Sequence, residues 1–222
     1  MKPRDGELLE RWRSGDAVSG EALFERYYAM LERFFLNKVA RGAQDLVQET
    51  FMRCVERRER IRDNDRFRMY MFAIAYNVLA AHLRERYRGE REIDLSKVSV
   101  CDVMPGPSSL VARHREHRLL LKALRAIPID DQVILELHYW EQLTTHQMAD
   151  VIGIPVGTVR GRLQRARARL EETIQRLAES RQDLASTLAR LDGWAAECRA
   201  QLDSCRADEP DALHAARSPS AT

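Results

Sequence analysis

The sequence predicts an all-α protein of two helical domains joined by a flexible linker, with a helical extension at the C-terminus. Apolar residues recur at three- and four-residue spacings through most of the chain, which is typical of amphipathic helices. Long strand-like alternations are absent, and the seven Pro and ten Gly residues fall mostly in a few breaks. A chain of 222 residues is long enough for one large or two small domains with cores of their own.

Four helices are expected in the first part of the chain. The periodicity predicts a short helix over 7–13 and a longer one over 21–39. A third helix over 45–60 follows the break at Gly42. The fourth covers 67–87, and it is apolar in its first two-thirds and basic at its end.

A cluster of Pro, Gly and Ser at 105–109 marks the linker, which we place at 89–112. Helical patterns resume over 110–126 and 130–140. The second of these two helices is expected to begin after Pro128 with an Asp cap.

Residues 143–170, LTTHQMADVIGIPVGTVRGRLQRARARL, predict a helix, a tight turn and a second helix. Thr144 can cap the first helix, and Gln147 completes a capping box. Gly153 stands where a helix end favours a left-handed residue, and Pro155 suits the first turn of the next helix. The apolar positions of the second helix that should face inward are Val156, Val159, Leu163, Ala166 and Leu170.

The second helix of this pair is strongly basic, with no Asp or Glu between Pro155 and Leu170. The positive charges of this helix repel one another unless an anion lies against them. Two short helices of which the second is basic also have a geometry that fits the major groove of DNA. The alternative is a solvated basic face on a bundle helix. The candidate DNA-contacting residues are Thr158, Arg160, Arg162, Gln164, Arg165 and Arg167.

Charge distribution supports a nucleic-acid partner better than the net charge of +2 does. Basic residues cluster at 84–91 and at 155–170. The N-terminus lacks an apolar signal core and no apolar run is long enough to cross a bilayer, so we expect a cytoplasmic protein without membrane insertion.

Catalytic and metal-binding signatures are missing from the sequence. The chain has no Gly-rich phosphate loop, no zinc-protease motif and no nucleophile elbow, which argues against an enzyme. The four cysteines form no CxxC pair, so neither a zinc ribbon nor a disulfide framework is supported. We therefore expect no cofactor and no metal.

Two parts of the chain resemble a known family. DLVQETF at 45–51 and RFRMYMFAIAYNVLAAHLRERYR at 66–88 are similar to domain 2 of bacterial sigma-70-family sigma factors, most closely those of the small extracytoplasmic-function (ECF) group. LRAIPIDDQVILELHYWEQLTTHQMADVIGIPVGTVRGRLQRARARL at 124–170 is similar to domain 4 of the same group. The resulting division is domain 2 over 1–88, the linker over 89–112, domain 4 over 113–178 and a C-terminal extension over 179–222.

The resemblance implies a sigma factor that binds core RNA polymerase, at the β′ clamp and the β flap, and directs promoter-specific initiation. The basic helix of domain 4 would read the −35 element. A surface of domain 2, including Tyr76, would read the −10 element and hold a flipped base, which requires stacking partners. The implied −10 residues are Arg62, Asn64, Asp65, Tyr70, Asn77, Arg84, Arg86 and Arg88.

Two departures from the family pattern fall on this surface: Tyr70 stands where Trp is usual, and Ala81 stands where Asp is frequent. The alternative for Tyr70 and Tyr76 is that both are core aromatics, and Tyr70 in particular lies in an apolar run. The acidic face formed by Asp45, Gln48 and Glu49, at i, i+3 and i+4 of one helix, would dock on the β′ clamp. The alternative for that face is simple solvation.

The extension repeats apolar residues at heptad spacing from Leu170 onward. Cys198 and Cys205 lie on that stripe, where buried apolar positions are favoured over a redox or metal sensor. Two rival functions stay open. One is a stand-alone helix-turn-helix regulator, and the other is a sigma factor controlled by its own extension or by an anti-sigma partner.

Overall fold

The computed structural model describes residues 3–39, 41–61, 66–86, 94–100 and 115–178. Within these ranges the regular structure is helical, and the single β-type contact is an isolated bridge between Ser99 and Pro128. The all-α prediction is therefore confirmed. The α-helices are α1 (Asp5–Arg13), α2 (Ala17–Leu36), α3 (Ala43–Glu56), α4 (Phe67–Arg86), α5 (Arg115–Ala126), α6 (Ile129–Tyr139), α7 (Thr145–Ile152) and α8 (Val156–Leu177), and a short 3₁₀ turn covers Arg58–Arg60.

The first bundle consists of α1 to α4, packed around aromatic side chains. The ring of Phe24 meets that of Trp12 edge-on at 5.2 Å and stacks on that of Phe51 at 4.4 Å. Helix α2 begins at Ala17, four residues earlier than the periodicity predicts, because the Asp16 carboxylate accepts hydrogen bonds from the first free N–H groups. Other buried residues of this bundle include Leu9, Leu23, Leu31, Phe35, Val47, Cys54, Phe67, Phe72 and Leu79.

The second bundle consists of α5 to α8. Helix α8 packs against α5, α6 and α7 through one apolar stripe, as predicted, while most of its remaining surface is exposed. The buried residues of this bundle include Leu120, Ala123, Val133, Leu137, Met148, Val151, Val159, Leu163, Ala166, Leu170 and Ile174.

Residues 94–100, within the predicted linker, pack against the start of α6. Leu95 and Val100 are buried there. The carbonyl of Val98 accepts from the N–H of Ile129 at 3.0 Å, and that of Leu95 accepts from the N–H of Asp130 at 3.1 Å. The expected Asp cap of this helix is therefore wrong, because linker carbonyls satisfy its first N–H groups and no side chain caps it.

The two bundles touch each other, which the sequence did not predict. Helix α4 packs against α7, and Arg33 and Lys38 of the first bundle form ion pairs with Glu141 and Glu136 of the second. The division into two domains thus does not mean two separated modules in this structure.

Several predictions fall outside the described residues: the heptad stripe after 178, Cys198, Cys205 and the Pro/Gly/Ser cluster at 105–109. Within the described ranges, no helix combines the length and apolar character needed to cross a membrane. The same ranges hold no group of three His, Cys, Asp or Glu side chains that could bind a metal ion.

Candidate nucleic-acid interface

The helix-turn-helix forms as the local sequence predicts. Thr144 Oγ1 accepts from the N–H of Gln147 at 3.3 Å, and Gln147 Oε1 accepts from the N–H of Thr144 at 2.8 Å. This reciprocal capping box fixes the start of α7. Gly153 ends the helix with a φ of 78°, a left-handed conformation that glycine adopts without strain.

Helix α8 presents its predicted DNA-contacting residues outward. Five of them are exposed, whereas the side chain of Arg162 is only 30% exposed. The exposed members are Thr158, Arg160, Gln164, Arg165 and Arg167.

Intramolecular partners divide the five arginines of α8 that precede Leu170 into two groups. Arg169 Nη1 donates to Asp131 Oδ2 at 2.5 Å, and Arg162 Nη1 lies 3.5 Å from Asp130 Oδ2. The guanidinium of Arg167 lies 2.8 Å from His138 Nε2 and sits over the ring of Tyr139. These contacts connect three arginines of α8 to side chains of α6.

Arg160 and Arg165 form the second group, because neither has a charged or hydrogen-bonding partner among the described residues. An exposed guanidinium without a protein partner keeps its five donors available to phosphate or to a base edge. Among the candidate residues of α8, these two guanidinium groups therefore remain available to a partner outside the described residues.

The candidate −10 surface on α4 is only partly open to solvent. Tyr70 and Tyr76 are half-buried, Asn77 and Arg84 are exposed, and Asn77 Nδ2 donates to the carbonyl of Ala73 at 2.9 Å. The alternative position of Tyr70 in the core is confirmed only in part, because its ring is partly buried and packs against the edge of the core. Four predicted −10 residues lie outside the described residues, as does the side chain of a fifth: Arg62, Asn64, Asp65, Arg88 and, for its side chain, Arg86.

Tyr76 reaches from the first bundle to the second. Its hydroxyl donates to Asp130 Oδ1 at 3.0 Å. Burial raises the pKa of Tyr76, and the nearby Asp130 carboxylate raises it further, so the hydroxyl keeps its proton and remains a donor. Burial also raises the pKa of Asp130, against the opposing effects of Tyr76 and Arg162.

The acidic face of α3 is exposed as predicted. Asp45, Gln48 and Glu49 all lie in solvent, and Glu49 Oε1 accepts from Arg53 Nη2 at 2.5 Å. Met52 continues the same face and its side chain is 53% exposed. Met52 was not among the residues predicted for this face, although its spacing of three and four residues from Glu49 and Gln48 places it there.

Comparison with known proteins agrees with this architecture. The Sigma-70 region 2 profile matches residues 23–89, and the Sigma-70, region 4 profile matches residues 117–170. The first segment thus contains most of the first bundle, and the second contains the helix-turn-helix.

Two curated relatives and one solved structure show the extent of the similarity. The chain is 31% identical over 131 residues to a probable RNA polymerase sigma factor RfaY of Xanthomonas campestris, which covers 57% of this chain and 32% of that protein. It is 24% identical over 172 residues to the ECF RNA polymerase sigma-E factor of Escherichia coli K12, covering 73% of this chain and 90% of that protein. The sigma factor RpoE of Bartonella quintana, solved in complex with the anti-sigma factor NepR, matches with a TM-score of 0.51 at 22% identity, covering 66% of this chain and 90% of that one.

The basic helix-turn-helix, the preceding helical bundle and these matches lead to one assignment. The chain belongs to the sigma-70 family of RNA polymerase sigma factors, in its ECF group, whose members act in transcription initiation.

Proposed function

We propose that this sigma factor binds core RNA polymerase and directs it to particular promoters, without catalysing a reaction itself. The observation that carries the proposal is the outward face of α8, where Arg160 and Arg165 are exposed and lack intramolecular partners among the described residues. Such a face supplies both the phosphate contacts that give affinity and the base contacts that give specificity.

The two domains divide the work in this proposal. Domain 4, over 113–178, positions the complex at the −35 element through the exposed side chains of α8. Domain 2, over 1–88, opens the −10 element through the surface of α4 and the adjoining 62–65 segment. The linker over 89–112 sets the spacing between them.

Polymerase attachment uses the exposed face of α3 in this proposal. Asp45, Gln48 and Glu49 provide carboxylate and amide groups, and Met52 adds an apolar contact at the end of the same face. A mixed face of this kind, with one exposed apolar side chain among polar groups, suits a protein partner better than it suits solvent.

An anti-sigma factor is the regulator that we propose for this protein. The Bartonella quintana sigma factor of similar fold was solved with its anti-sigma factor, which supports a partner of the same kind here. Control by residues 179–222 of this chain is the second candidate, because that extension lies beyond both matched family segments.

Transcription in vitro tests the proposal. Core polymerase is incubated with sheared genomic DNA of the source organism, with and without the full chain, and the 5′ ends of the transcripts are sequenced. We expect new, discrete start sites that appear only with the chain. Unchanged start sites would overturn the proposal.

A gel-shift assay separates this function from that of a stand-alone regulator. Fragments spanning the mapped starts are incubated with the chain, with core polymerase, or with both. We expect a specific shift only when both are present. Tight, specific binding by the chain alone would favour the regulator.

A further inference from the structure

Arg167 differs from the other partnered arginines near it on α8 in the charge of its partners. Arg162 lies 3.5 Å from the Asp130 carboxylate and Arg169 donates to Asp131, so each of these two guanidinium groups faces a negative charge. Among the described residues, the partners of Arg167 are an imidazole and a phenol ring, and neither neutralises its positive charge. Arg167 is thus held in place while its full charge remains available to an anion.

The imidazole that contacts Arg167 is that of His138, and it accepts a hydrogen bond from the guanidinium. Arg167 Nη2 and His138 Nε2 are 2.8 Å apart, and a guanidinium group has N–H donors but no acceptor. His138 Nε2 must therefore be the acceptor, which requires a neutral ring with its proton on Nδ1. A protonated ring would carry a donor on both nitrogens and would repel the guanidinium.

The Tyr139 ring contacts the same guanidinium. Its centroid lies 5.3 Å from the Cζ atom of Arg167, which is within the range of a cation–π contact. The rings of His138 and Tyr139 also meet edge-on at 4.9 Å. Both residues belong to the last turn of α6, where Leu135 and Leu137 are buried in the second bundle, so the two rings stand on a rigid support.

Arg167 also lines an open groove on the surface of α8. It shares this groove with Arg160, Gln164 and Glu171, which follow one another at spacings of three and four residues. The acidic Glu171 bounds the groove at one end, so an anion is expected on the side of Arg167 that leads to Arg160. The contact with His138 uses one of the five N–H donors of the exposed Arg167, and donors remain for a ligand in the groove.

We propose that His138 and Tyr139 are positioning residues for DNA binding: they hold the Arg167 guanidinium, with its charge intact, where it contacts a phosphate of the promoter. An unrestrained arginine side chain loses rotamer freedom when it binds, and that loss weakens the contact. A guanidinium that is already held in place avoids most of the loss. The inference rests on the proposed function, because that function identifies the outward face of α8 as the one that binds DNA.

Two variants with side chains of similar length test the acceptor on His138. His138→Gln supplies a carbonyl oxygen that can accept from Arg167, whereas His138→Met offers only a weakly accepting sulfur atom. Both variants lose the imidazole ring and its contact with Tyr139. Promoter affinity is measured for core polymerase bound to the full chain. We expect His138→Met to lower that affinity about three- to tenfold, and His138→Gln to stay within about twofold of the unsubstituted protein.

A double-mutant cycle tests whether His138 acts through Arg167. In a chain that carries Arg167→Ala, His138→Met should have no further effect on promoter affinity, because the guanidinium that it positions is gone. Arg165→Ala is the matched control, because Arg165 is also exposed on α8 but does not contact His138. In that background His138→Met should lower the affinity by the same factor as it does in the unsubstituted protein.

The salt dependence of the affinity separates the phosphate contact from its positioning. Arg167→Ala removes one phosphate contact, so the slope of log affinity against log salt concentration should become shallower by about 0.9. His138→Met weakens the contact but leaves it in place, so it should keep the slope of the unsubstituted protein. Circular dichroism and thermal unfolding of each variant verify that the second bundle is intact.

The following results would overturn the inference. One is an unchanged or raised promoter affinity of His138→Met, and another is an equal loss of affinity in His138→Gln and His138→Met. A loss that persists in the Arg167→Ala background, or an Arg167→Ala variant with unchanged affinity and slope, would do the same. If the unsubstituted chain gives core polymerase no specific promoter binding at all, the proposed function is contradicted instead.

Discussion

Gly20 has no side chain, and this allows α1 and α2 to pack closely against each other. A Cβ atom at this position of α2 would lie 2.6 Å from the indole ring of Trp12, which is buried against the same helix. The sequence marks Trp12 as apolar but does not reveal this approach, because the approach depends on how α1 crosses α2. Cys54, by contrast, stands at an apolar position of the helical periodicity of α3, and it is buried.

Gly20→Ala should destabilise the protein although alanine is the better helix former. The added methyl group forces the indole ring of Trp12 out of position, at a cost of about 1–3 kcal/mol in the free energy of unfolding. Gly157→Ala in α8 is the control, because nothing lies within 4 Å of its Cβ position, and it should stabilise the protein by up to about 1 kcal/mol. Thermal unfolding followed by circular dichroism measures both, and equal stabilities would contradict the packing argument.

Cys54 should be inert toward thiol reagents in the folded protein. Its side chain is buried, and burial raises the pKa of its thiol to about 12, so the reactive thiolate is scarce at neutral pH. In a chain whose other three cysteines are replaced by serine, a maleimide should label Cys54 only after denaturant is added. Rapid labelling of the native protein would show that the first bundle opens readily.

The boundaries of the elements could be predicted where the signal is local. Thr144, Gln147 and Gly153 define α7 within a span of ten residues, and all three behave as predicted. The start of α2 at Asp16 also had a local signal, which the periodicity alone did not include. The start of α6 depends on carbonyls some thirty residues earlier, at Leu95 and Val98, so nothing near Pro128 indicated it.

Thr144→Ala should weaken the helix-turn-helix. The change removes the acceptor for the N–H of Gln147 and should lower the free energy of unfolding by about 1 kcal/mol. Thr145→Ala removes the neighbouring hydroxyl, which forms no cap, and serves as the control. Urea unfolding followed by tryptophan fluorescence compares the two variants. Equal midpoints would mean that packing, and not the cap, determines the start of α7.

The arginines of α8 should separate into two classes by function. Arg160→Ala and Arg165→Ala should each lower the affinity of the polymerase complex for promoter DNA about 10- to 100-fold if the arginine contacts a base. If it contacts a phosphate instead, the dependence of that affinity on salt concentration should fall by the equivalent of about one phosphate contact. Arg169→Ala should leave DNA binding nearly unchanged, because that guanidinium is paired with Asp131. Promoter affinities measured at several salt concentrations distinguish these outcomes, and an equal loss in all three variants would contradict the division.

At the scale of the whole molecule, the two helical regions could be predicted and the contact between them could not. Each region has its own apolar periodicity and its own motifs, which are visible in short stretches of sequence. The contact depends on pairs such as Lys38 and Glu136, which are 98 positions apart and carry charges that usually indicate solvated surface. A separation of 54 positions likewise concealed the contact of Tyr76 with Asp130, which lies in the other region.

The buried carboxylate of Glu141 should give the whole molecule a specific dependence on pH. Burial raises the pKa of Glu141 above its ordinary value of 4.5, although Arg33 and Arg68 oppose the shift and Glu136 adds to it. The folded protein therefore binds more protons at this site than the unfolded chain does, and its stability falls as the pH rises from that value through the raised pKa. Glu141→Gln has no such proton to lose, so its melting temperature should rise relative to that of the unsubstituted protein as the pH increases above 4.5. The control is Glu172→Gln, at an exposed position of α8, which should show no such trend. If the difference in melting temperature between Glu141→Gln and the unsubstituted protein does not change with pH, the Glu141 carboxylate is as well solvated in the folded protein as in the unfolded chain.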